Sequence, residues 1–264
     1  MKFKKEHMIL VLLLMLSLIV VGCAGQASSS DEGPYIAGIK KWSYNNLENV
    51  NNYTVIADVT NLYLDEDGNE IRRNESRGER IIFYDPYRTK VTTLSETEYP
   101  TAPSYALHQN GTITNYFYFL QEEKYLVSEI TEETYPEPAL FDSLYIGNGE
   151  RTQGILLGMV DYEILEDTDE QVVIKATINP EEVHGAAIEY MYIKSLTQTV
   201  YYNKDTQQVI KVEDHQLVNT QELSPNMVID GKSVYEQDLT IVSEYKNINS
   251  SPDFELPKDD EIIS

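Results

Sequence analysis

The one cysteine in 264 residues, Cys23, sits in the stretch SLIVVGCAGQASSS, where an apolar run gives way to small polar residues. A single thiol closes no disulfide within the chain, and thiolate catalysis or zinc binding needs further groups at set spacings. The histidines after it, His108, His184 and His215, show no paired spacing, and EEVHG around His184 lacks the second histidine of a zinc-binding helix. DEDGNE places Asp65, Asp67 and Asn69 at the first, third and fifth positions of a calcium-loop pattern. Glu70 then stands where that loop needs glycine and Ser76 where it needs a bidentate glutamate, so a hairpin turn is expected instead. The glycines of IGNGERTQG, Gly147, Gly149 and Gly154, do not follow a dinucleotide-binding pattern, and neither a Gly-x-Ser-x-Gly nor a phosphate-binding loop occurs. Among 44 acidic residues no two carboxylates stand apart as an acid and a base. No catalytic residue, metal site or cofactor is therefore expected, and Cys23 carries the most information.

The formal net charge is -24. That balance argues against nucleic acid, whose sequence-independent binding needs Lys and Arg to displace phosphate counterions, and it holds the chain off an anionic membrane surface. Membrane contact then requires a spanning segment or a covalent anchor. MKFKKEH is a basic start with Lys2, Lys4 and Lys5, and MILVLLLMLSLIVV, Met8 to Val21, is apolar apart from Ser17. Those 14 residues fall short of the roughly 20 that span a bilayer as a helix, and they match the apolar region of a signal peptide.

The VVGC that follows resembles the lipobox of bacterial lipoproteins, with Val20 where leucine is usual and Val21 where alanine or serine is commoner. The resemblance implies cleavage between Gly22 and Cys23, a diacylglycerol thioether on Cys23, and a mature chain held at the cell membrane on its extracytoplasmic side. Two acyl chains meet the two-signal requirement for stable anchoring. On this reading residues 1–22 are a signal peptide, 23–34 the lipidated cysteine and a flexible polar tether, and 35–264 a single β-rich domain. Loss of three lysines and one glutamate with the signal leaves a mature chain of net charge -26.

From Tyr35 onward the dominant period is two. In YTVIADVTNLYL, Tyr53, Val55, Ala57 and Val59 share one face and Thr54, Asp58 and Thr60 the other, with Ile56 breaking a half-buried pattern. VVIKATI sets Val172, Ile174, Ala176 and Ile178 opposite Lys175 and Thr177, and YEQDLTIVSEY sets Leu239, Ile241 and Tyr245 opposite Glu236, Asp238 and Glu244. Turn signals stand between such runs: Gly68, Asn110-Gly111, the residues around Asp205, and Asp230-Gly231. Helices are expected over Tyr35–Val50, with Ile36, Ile39, Leu47 and Val50 as its stripe, after the N-cap Asn179 and Pro180, and briefly around Leu140, Phe141 and Leu144.

NNYTVIADVT, FYDPYRTKV, YYNKDTQQVIKV and the closing YKNIN and FELP, together spanning Asn51 to Pro257, resemble the LolA/LppX-like superfamily, and most of all its uncharacterised lipoproteins from Gram-positive bacteria. The resemblance implies a mainly β (α+β) fold, with a curved antiparallel sheet forming an incomplete barrel wrapped around a few helices. It also implies an apolar cavity, which in some relatives carries acyl chains.

TITNYFYFL puts Ile113, Phe117 and Phe119 on one face and Tyr116, Tyr118 and Leu120 on the other, so both faces are covered or one lines a cavity. A central strand packed under a helix is the simpler reading, and Ile113, Phe117 and Phe119 are the residues that would line a ligand pocket. Tyrosine outnumbers phenylalanine 20 to 6, which suits half-wet sites and equally a protein-binding face. The expected function is thus non-catalytic binding of a lipid or acyl chain. The alternative is an interaction or sensor-type lipoprotein with a filled core and an unidentified protein partner. A two-lobed solute receptor is disfavoured because alternating βαβ signals are absent from the sequence.

Overall fold

The computed structural model describes residues 34–43, 50–95, 102–131, 133, 155, 156, 158–179 and 192–263. Gly22, Cys23, His184, the three glycines of IGNGERTQG and the helices expected after Asn179 and around Leu140 lie outside the described residues.

Alternating sequence builds paired strands. β1 (Asn52–Leu64) and β2 (Glu70–Tyr84) are joined by the DEDGN turn, in which Asp65 Oδ1 accepts the N–H groups of Asp67 (3.0 Å) and Asn69 (2.8 Å) while Gly68 takes φ +79°. The expected hairpin turn is what these residues form, and Asp65 is occupied in capping it. β3 (Tyr87–Thr93), β4 (Ser104–Gln109), β5 (Thr112–Phe119) and β6 (Lys124–Thr131) extend the meander outward. Asn110 and Gly111 both have positive φ between β4 and β5, as a two-residue hairpin turn requires. The chain then passes to the far edge. β7 (Met159–Asp167), β8 (Gln171–Ile178), β9 (Ile193–Asn203) and β10 (Gln208–Asn219) return toward the middle. After one helical turn at Thr220–Leu223 and a small hairpin of β11 (Val228–Ile229) and β12 (Lys232–Ser233), β13 (Glu236–Lys246) enters between β10 and β1.

Eleven strands therefore form one curved, open antiparallel sheet in the order β6-β5-β4-β3-β2-β1-β13-β10-β9-β8-β7. This is the mainly β incomplete barrel with few helices that the sequence led one to expect. β5 lies one strand in from an edge rather than at the centre, because the chain adds β13 and the second meander on the opposite side of β1.

Partners directly opposite in antiparallel strands share a face, so the registers assign every side chain. One face, here the inner face, holds the core: Val172, Ile174, Ala176 and Ile178 of β8 pair with Tyr202, Val200, Gln198 and Leu196 of β9. The same face continues through Val212 and Tyr245 to Tyr53, Val55, Ile82 and Tyr87, with Tyr245 and Ile248 packed against both parts of the core. α1 (Pro34–Ser43) lies on this face and buries Ile36 and Ile39 against β8–β10. Val50 of the expected stripe is buried in the Tyr53 cluster at the entry to β1, and Leu47 lies outside the described residues.

Gly38 marks the closest approach of α1 to the sheet, since a Cβ there would lie 2.6 Å from the buried Tyr202 hydroxyl oxygen. Alanine gains up to about 1 kcal/mol of helix propensity, whereas displacing a packed ring costs about 1–3 kcal/mol. Gly38→Ala is expected to lower the thermal midpoint, and Gly38→Ala with Tyr202→Phe to restore it. An unchanged midpoint in the single variant would show that α1 does not pack this tightly.

The outer face of β1–β6 is crossed by the C-terminal segment. Ser251 Oγ lies 2.9 Å from Thr54 Oγ1, Arg88 pairs with Asp253 (2.8 Å) and donates to the Phe254 carbonyl (3.0 Å), and Ile263 N donates to the Tyr125 carbonyl (2.9 Å) on the edge strand. The Arg88 guanidinium is also held between the rings of Phe83 and Phe254, 4.4 and 5.0 Å from their centroids. β1 was expected to be half-buried, but Thr54 and Ile56 are buried on the face opposite Tyr53 because this segment passes over them. Among the described residues no helix is long and apolar enough to cross a membrane.

Candidate ligand-binding face

The inner face is filled by the core over β8 and β9, again at Asn61, Tyr63 and Gln237, and on β1 from its start at Tyr53 and Val55. Farther along, Ala57 and Val59 of β1 and Leu239 and Ile241 of β13 face the same way and are only half-buried. Apolar side chains on the packed side of a sheet are normally covered. These four make a strip of partly accessible apolar surface that begins where the Tyr53 and Tyr245 rings end, 5.9 Å apart by centroid.

One charged group borders the strip. Asp214 of β10 is opposite Ile241, which is itself opposite Val59, so its carboxyl stands on the inner face beside apolar neighbours. Gln198 of β9 fixes it: Nε2 donates to Asp214 Oδ1 at 2.8 Å, while Oε1 accepts the backbone N–H of Leu156 at 2.7 Å. A backbone N–H can only donate, which sets the amide orientation and leaves Nε2 for the carboxylate. Leu156 and Ile155, both buried, are thereby seated over β8 and β9. Burial pushes the Asp214 carboxyl up to about 6, and the Gln198 hydrogen bond offsets this in part. Among the described residues Gln198 is the hydrogen-bond partner found for this carboxylate, and Asp214 as a whole is half-buried.

The pocket residues expected from sequence divide along β5. Ile113 is buried, as is Asn115 between it and Phe117, while Phe117 and Phe119 are each 37% exposed. All are on the inner face, and Leu126 of β6, opposite Phe117, is also exposed. Ile113 thus belongs to the packed part of the inner face, and the two phenylalanines stand partly open to solvent beyond it. Asp214, Gln198 and the Val59 and Ile241 strip were not singled out in the sequence.

Among the described residues no group of three or more His, Cys, Asp and Glu side chains is placed to hold a metal ion. His215 sits on the outer face, its Nε2 2.7 Å from Asp238 Oδ1, in an exposed pair. A depression beside the β7–β8 turn is lined by Glu166, Thr168, Asp169, Glu170 and Gln171, all exposed or half-exposed turn residues.

No family model matches the chain, and no curated protein sequence matches it. Among solved structures the chain is similar to LprF from Mycobacterium bovis, at 10% identity and TM-score 0.42 over 86% of this chain and 99% of that one. It is also similar to a DUF1329 family protein from Desulfovibrio piger, at 12% identity and TM-score 0.33 over 85% and 96% of the two chains. An uncharacterized conserved protein from Thermus thermophilus gives 10% identity and TM-score 0.32 over 87% of this chain and 96% of that one.

Proposed function

We propose that the chain is a non-catalytic lipoprotein, anchored at the extracytoplasmic side of the cell membrane through Cys23, whose inner face takes up a lipid or acyl chain. The observation that carries this reading is the half-buried strip of Ala57, Val59, Leu239 and Ile241, continuous with the core yet not filled by it. A ligand chain laid on that strip removes apolar surface from water at about 25 cal/mol per Å². Ile113, Phe117 and Phe119 stand on the same face toward the β6 edge, separated from the strip by Ser76, Gly78 and Arg80 of β2 and Ser104 of β4, and form a second apolar group there.

Organic extraction of the full chain purified from membranes tests this. A stoichiometric lipid that leaves without cleavage of covalent bonds is the expected result, and a chain that yields only its covalent anchor would overturn it. A specific observation supports a second reading in that event: Val160, Ile164 and Leu165 are exposed on the edge strand β7, where a protein partner could cover them.

A further inference from the structure

The strip described above is apolar, but it ends against a carboxylate, and that limits what can lie on it. Resting on the lipid-binding reading, we propose that Asp214 selects the polar end of the ligand: the inner face takes acyl lipids with an uncharged, hydroxyl-bearing head, such as acylglycerols, in preference to free fatty acids.

The geometry supplies both halves of that discrimination. Asp214 Oδ1 is held by Gln198, whose amide is itself fixed by the Leu156 N–H, so the carboxyl cannot swing away from the strip without losing the Gln198 bond. The other oxygen remains an acceptor on the face that Asp214 shares with Ile241 and, beyond it, Val59. An ionised carboxylate only accepts hydrogen bonds, so a bound ligand that excludes water from this oxygen must offer a donor or leave it unsatisfied. A hydroxyl offers one. A fatty-acid carboxylate offers none and brings a second negative charge into the same poorly solvated place, which disfavours ionisation of both groups.

Among the described residues, Lys40 of α1 included, no cation acts on the Asp214 carboxyl, which responds only to burial and to Gln198. The inner-face neighbours of Asp214 are Gln198, Val212, Gln216, Ile241, Leu239 and Ser243. The inner-face arginines on β2, Arg72 and Arg80, align with Tyr63 and Val55, each displaced along the strands from the Val59 row. With β13 and β1 also between them and β10, strand geometry puts both roughly 20 Å away. Arg72 is moreover paired with Asp230 at 2.6 Å.

The test is native mass spectrometry of the full chain released from detergent micelles at pH 8, incubated with equimolar 1-monopalmitoylglycerol and palmitate. The wild-type chain is expected to carry the acylglycerol at least about tenfold more often, and Asp214→Asn, which removes the charge and keeps the shape, to lose most of that preference. Equal adducts on the wild type would overturn the selection, as would a preference that survives in Asp214→Asn. Absence of either adduct on the wild type would instead remove the lipid-binding reading itself, and this inference with it.

Discussion

Asp214→Asn is expected to stabilise the folded chain by about 2–3 kcal/mol at pH 8, an increment that shrinks as the pH falls through 6 and is nearly gone below 4. The cause is the burial that raises the Asp214 carboxyl from 3.8 to about 6 in the folded chain. A group whose folded value lies above its unfolded value binds its proton more tightly when folded. Its ionisation therefore costs stability, progressively between the two values and fully above the higher one. Below the lower value both states carry the proton and the cost vanishes. No charged side chain among its inner-face neighbours on β9 and β13 titrates with it, since these are Gln198, Leu239, Ile241 and Ser243, so the effect belongs to one group. Asparagine keeps an acceptor for Gln198 Nε2 and has no charge to desolvate. Paired denaturant titrations of wild type and variant at pH 4, 6 and 8 measure the difference. A variant equal to or weaker than wild type at pH 8 would show that the carboxyl is well solvated.

A residue that costs stability at neutral pH is not explained by packing. Threonine, asparagine or valine would complete the inner face of β10 without that cost. A carboxylate held by a dedicated glutamine beside an apolar strip fits the pattern of a binding group whose environment is arranged for a ligand rather than for folding.

How much of this was legible in the sequence depended on whether the deciding contacts were local. The inner face of β8 was readable, because Val172, Ile174, Ala176 and Ile178 alternate and all four are buried there, whereas Val173, buried on the other face, was not assigned. The turns were readable for the same reason: Asn110-Gly111 and Asp230-Gly231 meet the backbone need for positive φ within the turn itself. Asp214 was not readable. In QVIKVEDHQLVN the register with β9 shifts between Val209 and Lys211, so Val209 and Val212 are both buried despite opposite parity, and no single alternation marks Asp214 as inward. Thr54 was read as the polar face because the Ser251 hydroxyl that meets it comes nearly 200 residues later, while Ile56, which broke the alternation, is buried on that same face. The partly open position of Phe117 and Phe119 depends on where β5 ends relative to the core, which residue type does not encode.

Cys23→Ser is expected to abolish incorporation of a labelled fatty acid and to leave the chain at precursor length. The lipobox resemblance of VVGC places diacylglycerol transfer on the thiol before cleavage, so a serine stops both steps together. Simple fractionation would not detect this, because an unprocessed precursor keeps the apolar Met8–Val21 run and remains associated with membranes. Label and length, read on the same gel, do detect it: wild type shorter and labelled, variant longer by 22 residues and unlabelled. On the proposed reading the thioether is the anchor of the processed chain. A body of net charge -26 after processing is repelled by anionic lipid, and no described helix can span the bilayer. Two acyl chains, at about 0.8 kcal/mol per buried CH₂, are the kind of anchor that overcomes such repulsion where one chain binds only marginally. The same acidity then lifts the domain off the surface as far as the tether allows, leaving its inner face open to a ligand arriving from the membrane or the medium. A variant that is still labelled and still cleaved would place the lipid elsewhere and remove Cys23 from the account.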